Sequence, residues 1–152
     1  MKNIETEIKI NANPSIVWEV LTNLNSYNEW NPFIIESKGK IKLGKQITNT
    51  MLNGEKKMTF KPIVTQIKEH KRFEWLGSLW IKGLFDGRHY FELKKLNDES
   101  TLLVHGEYFS GLLSGVILNS IKQDTLNGFS RMNEALKNRV EQNETNRNTT
   151  NP

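Results

Sequence analysis

The sequence contains no cysteine among its 152 residues. That excludes disulfides, thiolate metal ligands and a cysteine nucleophile. No apolar run approaches the ~18 residues needed to cross a bilayer, so stable membrane insertion is not expected. There is no glycine-rich phosphate loop and no dinucleotide fingerprint. Ser110, Ser114 and Ser120 lack the strand–turn–helix setting of a nucleophile elbow, which counts against a hydrolase triad. The three histidines include no closely spaced pair, and His70 falls at a polar turn, so neither a metal site nor a cofactor is expected. The first residues, Met1 to Glu5, have no apolar signal-peptide core, and the reading is of a cytoplasmic protein.

What is present is a chain of single-domain length, 36% hydrophobic, with seven Phe, four Trp and three Tyr, enough to build a core. The formal charge is +4. Its excess is local: residues 36–72 hold ten Lys or Arg against three Glu. No aromatic platform is interleaved between Glu36 and Lys57, so the lysines read as a solvated face that protects sheet edges, and no nucleic-acid partner is expected.

Periodicity orders the elements. Residues 3–10 alternate, with Ile4, Thr6, Ile8 and Ile10 on one face, the mark of a half-buried strand. Asn13-Pro14 is an N-cap followed by a first-turn proline, and opens a helix buried through Ile16, Val17, Val20, Leu21 and Leu24. A second short helical turn stops at Pro32. Strands follow over 33–39, 44–52, 56–68, 72–80, 85–96 and 101–109, with Asn53-Gly54 as a hairpin signal. Pro62 interrupts the third of these and predicts a bulge or edge position. A long helix over 115–138 carries Ile117, Leu118, Ile121, Phe129, Met132 and Leu136 as one apolar stripe, with Gly128 on or beside it. Residues 139–152 read as a disordered polar tail, leaving 1–138 as the folded domain.

Strand alternation also assigns faces. Phe73, Trp75, Gly77 and Leu79 point one way on their strand, as do Phe85, Gly87, His89, Phe91 and Leu93 on the next. Leu103, His105, Glu107 and Phe109 share a face on the last strand, which is apolar on both sides. A curved sheet closed by one helix has more inner surface than the helix can fill, so an internal cavity with a few polar groups is expected.

Four blocks occur in order: Trp30-Asn31-Pro32-Phe33, Trp75-Leu76-Gly77, residues 83–91 (GLFDGRHYF) and residues 107–113 (EYFSGLL). Together they resemble the START-like, helix-grip superfamily, and within it the bacterial polyketide cyclase/dehydrase and lipid-transport group. The resemblance spans about residues 3–138. It implies an α+β fold in which a seven-stranded antiparallel sheet wraps around the long C-terminal helix, with two short helices after the first strand. It favours the Leu103-to-Phe109 set as inward. It also implies a ligand site between sheet and helix, formed by Trp75, Leu79, His89, Phe91, Leu103, His105, Glu107, Phe109, Ile117, Ile121, Gly128, Phe129 and Met132.

Three roles stay open at this level. The first is binding of a lipid-, polyketide- or aromatic-like molecule. The second is a cyclase or dehydratase reaction with His89, His105 and Glu107 as candidate catalytic groups, since a buried carboxylic acid and a neutral histidine can form an acid–base couple. The third is a protein-interaction module, as in co-chaperone or ribosome-associated relatives. A monomer and a homodimer both fit.

Overall fold

Each element follows from a local signal in the chain. In this computed structural model the structure describes residues 2–78 and 82–150. Strand β1 (Lys2–Ile10) buries Ile4 and Ile10. Helix α1 (Pro14–Thr22) starts at Asn13, whose side chain accepts a hydrogen bond from the Ser15 N–H at 3.0 Å. A 3₁₀ turn (Leu24–Ser26) leads into the single-turn α2 (Tyr27–Trp30). The Asn31 Oδ1 then accepts from the Phe33 and Ile34 N–H groups and launches β2 (Ile34–Lys38).

Strands β3 (Thr48–Asn53) and β4 (Lys56–Phe60) form a hairpin around Gly54-Glu55. Gly54 sits at φ 61° and no positive φ is needed at Glu55, the glycine-first arrangement of a type II′ turn. Then come β5 (Ile63–Lys68), β6 (Arg72–Ser78), β7 (Asp86–Asn97), β8 (Ser100–Ser110) and α3 (Ser114–Thr150). All pairings are antiparallel. The order is β1-β8-β7-β6-β5 in one sheet and β2-β3-β4 in a second.

The fold is thus α+β with a long C-terminal helix, but eight strands in two sheets replace the expected seven in one. Pro62 is the reason. It has no N–H to give to a ladder, so the expected strand over 56–68 breaks there. β4 pairs into the smaller sheet and β5 into the larger. The Ile47 N–H donates to the Pro62 carbonyl at 2.9 Å and keeps the two sheets joined at the break.

Helix α3 packs against β1 and β8 of the larger sheet and β3 of the smaller. It does not end at residue 138, and the expected tail is helical through Thr150. Val140 continues the stripe of Met132 and Leu136 and is fully buried. Glu141 accepts the Asn11 N–H at 2.8 Å, and Arg139 and Arg147 pair with Glu29 and Glu19 of the two short helices. The polar composition of this segment describes its outer face only. No helix among the described residues is long and apolar enough to cross a membrane.

The interior is solid at one end and hollow at the other. Below Phe129, Met132, Leu136 and Val140 the core is closed by Ile4, Ile10, Val17, Leu21 and Phe33. Gly128 belongs to this closed part. The Phe33 ring lies directly on it, edge-on to Phe129 at 5.5 Å between centroids, and a Cβ at position 128 would overlap that ring. Gly128→Ala therefore sets a helix-propensity gain of about 1 kcal/mol against overpacking that costs about 1–3 kcal/mol. A net loss of up to about 2 kcal/mol is expected in urea denaturation; a variant more stable than wild type would contradict this packing.

Candidate functional site

Register brings the polar residues together. Across β6, β7 and β8, Trp75 pairs with His89 and His89 with Glu107. One pleat further on, Phe73 pairs with Phe91, Phe91 with His105, and His105 with Thr6 of β1. Same-face residues two apart stand next to each other on a pleated sheet. His89 and His105 are therefore diagonal neighbours on the inner face, with Glu107 and Thr6 beyond them.

Their side chains form a chain of contacts. The Thr6 Oγ1 bonds the His105 carbonyl at 3.3 Å and the Asn133 Nδ2 at 2.9 Å. The Asn133 Oδ1 lies 2.8 Å from His105 Nδ1, and His105 Nε2 lies 2.8 Å from His89 Nε2. His89 Nδ1 faces Glu107 Oε2 at 3.5 Å. Aromatic rings enclose the histidines. Trp75 stacks on His89 at 4.5 Å and 4°, and Phe129 stacks on His105 at 4.0 Å and 19°.

This apolar casing disfavours every charged form. Burial lowers His89 from 6.5 to about 3. Burial, and then the neighbouring His89, hold His105 well below its ordinary value, against the opposing hydrogen bond from Asn133. Burial raises the Glu107 carboxyl from 4.5 to about 8. These shifts favour the uncharged forms at neutral pH: a carboxylic acid at Glu107 and neutral imidazoles at His89 and His105.

Glu107 is also the point where this chain meets empty space. A cavity of about 320 Å³ lies under the first turns of α3. Its walls are Trp75, Phe85, His89, Glu107 and Phe109 of the larger sheet, the β3–β4 hairpin, and Ile117, Ser120, Ile121 and Thr125 of α3. Lys56, Ser78 and Ser120 line it and are exposed, so they mark its mouth. Glu107 Oε1 lies over Gly87, in the room that a side chain at position 87 would take. No cluster of three metal-ligating side chains occurs among the described residues.

Of the ligand-site residues read from the sequence, Trp75, His89, Glu107, Phe109, Ile117 and Ile121 line this cavity. His105, Phe91, Leu103, Phe129 and Met132 do not line it. They are buried in the solid core behind it, because α3 closes onto the sheet from Phe129 onward. Gly128, expected there too, is covered by Phe33. Leu79 lies outside the described residues; Phe85 is buried and lines the cavity. The nine lysines between 36 and 72 are all exposed, and only Lys56 reaches the cavity rim.

Sequence reasoning missed three contributors. The hairpin wall is one: Asn49, Met51 and Asn53, then Lys56, Met58 and Phe60, recur at period two and all line the cavity. Thr6 is another, the one polar residue on the face of Ile4, Ile8 and Ile10. Asn133 is the third, four residues after Phe129 and three before Leu136, hence on the apolar stripe.

Comparison with known proteins agrees with this architecture. The family model described as polyketide cyclase/dehydrase and lipid transport matches residues 1–141. No curated protein matches the sequence. Among solved structures, norcoclaurine synthase of Thalictrum flavum, a point mutant in complex with a transition-state analogue, superposes with a TM-score of 0.73. It is 15% identical over 94% of this chain and 96% of that one. A START superfamily protein from Mycobacterium smegmatis gives 0.70 at 18% identity, covering 92% and 97%. The ZhuI aromatase/cyclase of Streptomyces sp. R1128 gives 0.66 at 15% identity, covering 92% and 93%. At these identities the likeness is one of fold.

The buried cluster makes stability depend on pH. Between about 4.5 and 8 the unfolded chain has released the Glu107 proton that the folded chain keeps, so this group's contribution falls as pH rises. Below 6.5 the unfolded chain takes up histidine protons that the folded chain refuses, so stability rises with pH toward 6.5. Two histidines outweigh one carboxyl below 6.5, which puts the cluster's optimum near that pH. From pH 6.5 to 8 the loss from Glu107 is about 2 kcal/mol. Thermal melts should show this decline in wild type and its absence in Glu107→Gln. Identical melting profiles for the two proteins above pH 6.5 would contradict a neutral Glu107.

Proposed function

The chain belongs to the polyketide cyclase/dehydrase and lipid-transport family, and from that footing we propose that it binds a small hydrophobic molecule in the cavity between its sheets and α3. The observation that carries this reading is the hollow half of the interior. About 320 Å³ stays open beneath Ile117, Ile121 and Thr125, while the other half of the same helix is packed solid. A void of that size is at the lower end of ordinary ligand pockets. Its walls are mostly aromatic and aliphatic, with polar groups at Asn49, Asn53, His89, Glu107 and Thr125 and, at the mouth, Lys56, Ser78 and Ser120. That composition fits a largely apolar molecule with a few hydrogen-bonding atoms.

A catalytic role for the histidines has less support. The chain from Glu107 through His89, His105 and Asn133 to Thr6 ends on the His105 carbonyl inside the protein. At that end it leads no proton to solvent, and only Glu107 and His89 reach the cavity. Binding is therefore the reading the geometry favours over proton relay.

The test is ligand capture with a filled cavity as its control. A set of hydrophobic small molecules should contain members that raise the melting temperature of the wild type, and native mass spectrometry should show a one-to-one complex. Ile121→Trp places an indole in the void and should weaken those same compounds by at least about tenfold, or 1.4 kcal/mol. A library with no stabilising member, or equal affinity in wild type and Ile121→Trp, would contradict the proposal.

A further inference from the structure

A glutamate facing an apolar cavity ordinarily suggests a site for a cation. The hydrogen-bond directions around Glu107 argue otherwise, and they can be followed from one end. The Thr6 hydroxyl has a single hydrogen. Its partner at 3.3 Å is the His105 carbonyl, which can only accept, so Thr6 donates there. The Asn133 atom 2.9 Å from Thr6 Oγ1 must then be the donor, Nδ2. That turns the Asn133 Oδ1 toward His105, so His105 Nδ1 carries a hydrogen. A neutral His105 then has a bare Nε2, and the His89 Nε2 beside it must donate. A neutral His89 in turn has a bare Nδ1. That bare nitrogen faces Glu107 Oε2 at 3.5 Å, a longer contact than the links before it, where a carboxylate would set lone pairs against a lone pair and a protonated carboxyl would not.

We infer that this one-way chain from Thr6 through Asn133, His105 and His89 holds Glu107 as an uncharged acid, and that the cavity takes uncharged ligands bearing hydroxyl-type donors rather than ammonium compounds or carboxylates. This rests on the binding function proposed above and adds the ligand class. Thr6 and Asn133 are positioning residues in this account, since neither touches the cavity.

A second observation points the same way. The cavity presents acceptors, beside the amide NH2 groups of Asn49 and Asn53 on the hairpin and the Lys56 ammonium at the exposed rim. With its proton turned to His89, Glu107 offers Oε1 as a carbonyl oxygen. The Asn53 Oδ1 is buried without a partner among the described residues. The hydroxyls of Ser120 and Thr125 give their hydrogens to the Ile117 and Ile121 carbonyls at 2.8 and 2.9 Å, leaving only lone pairs for a guest. A carboxylate, which only accepts, finds no match at these four atoms. A hydroxyl does.

The charged and titratable groups around Glu107 are few. On β7 it faces His89, and on β4 Lys56 stands at the exposed rim of the same cavity. Trp75 of β6 and Ile117, Ser120, Ile121 and Thr125 of α3 bring no charge. Burial of the carboxyl then adds to the effect of the chain.

The experiment has a ligand-free arm and a ligand arm. Nitrogen-15 NMR of the histidine side chains at pH 7 should find His105 protonated on Nδ1 and His89 on Nε2. A hydrogen on His89 Nδ1 would overturn the chain. Asn133→Leu removes the acceptor for His105 Nδ1 and should release both rings from these single tautomers. Unchanged tautomers in a folded Asn133→Leu protein would overturn the role of Asn133. In the ligand arm, titration calorimetry compares 2-naphthol, 2-naphthoate and 2-naphthylmethylammonium as probes. Wild type should prefer the naphthol by at least about tenfold over both ions, or 1.4 kcal/mol. Glu107→Gln, whose amide copies the neutral acid with one donor toward His89 and one acceptor toward the cavity, should keep that preference. Tighter binding of the ammonium than of the naphthol in wild type, or loss of the preference in Glu107→Gln, would overturn the ligand class. Failure of all three probes in wild type would instead tell against the binding function and the ligand class with it. The tautomer measurement still decides the chain in that case.

Discussion

Water is kept from His89 and His105 on the inner face of β7 and β8, and the chemistry of the site follows from that exclusion. His89 and His105 are almost wholly buried and lie against the rings of Trp75, Phe91 and Phe129. Ions are costly there, and an unpaired polar atom is costly too. The interior meets both demands by linking neutral groups end to end. Each link fixes the hydrogen of the next, so a threonine hydroxyl on β1 bears on the state of a carboxyl on β8. Deleting one member would leave its neighbours buried and unsatisfied, which is the expensive outcome for such networks.

The helix decides where this chain meets open space. Over Phe129 to Val140, α3 presses large side chains into the sheet and the core is filled. Over Ile117 to Thr125 the smaller sheet stands opposite it, and a gap remains. Gly128 and Phe33 sit at the boundary: the ring fills the place of the missing side chain and closes the solid half. Glu107 opens onto the gap while His105, two residues earlier, is sealed. The same period-two face thus supplies a buried relay residue and a cavity wall.

Much of this was legible in the sequence. Alternation groups His105 with Glu107 on β8 and gives His89 its face on β7, the family resemblance turns the β8 set inward, and the order of elements yields the α+β class. What was not legible depends on three-dimensional register. Nothing local says that Thr6 lies opposite His105, or that Asn133 descends from α3 onto the same ring, because those pairings are set by the long-range meeting of β1, β8 and the helix. Both residues nonetheless carried a signal, as lone polar groups on apolar faces. The split at Pro62 followed from its missing N–H, but the second sheet it feeds could not be read from one strand alone. The final turns of α3 were obscured by polar composition. One buried apolar residue, Val140, and charge partners on the short helices stabilise them.

The central claim is that Glu107 is an acid at neutral pH, and it can be observed atom by atom. Carbon-13 NMR of the glutamate carboxyls, assigned by loss of one resonance in Glu107→Gln, follows its titration in the ligand-free protein. The account predicts a midpoint near 8 for that resonance. A midpoint near the ordinary 4.5 would show an ionised Glu107 and contradict it.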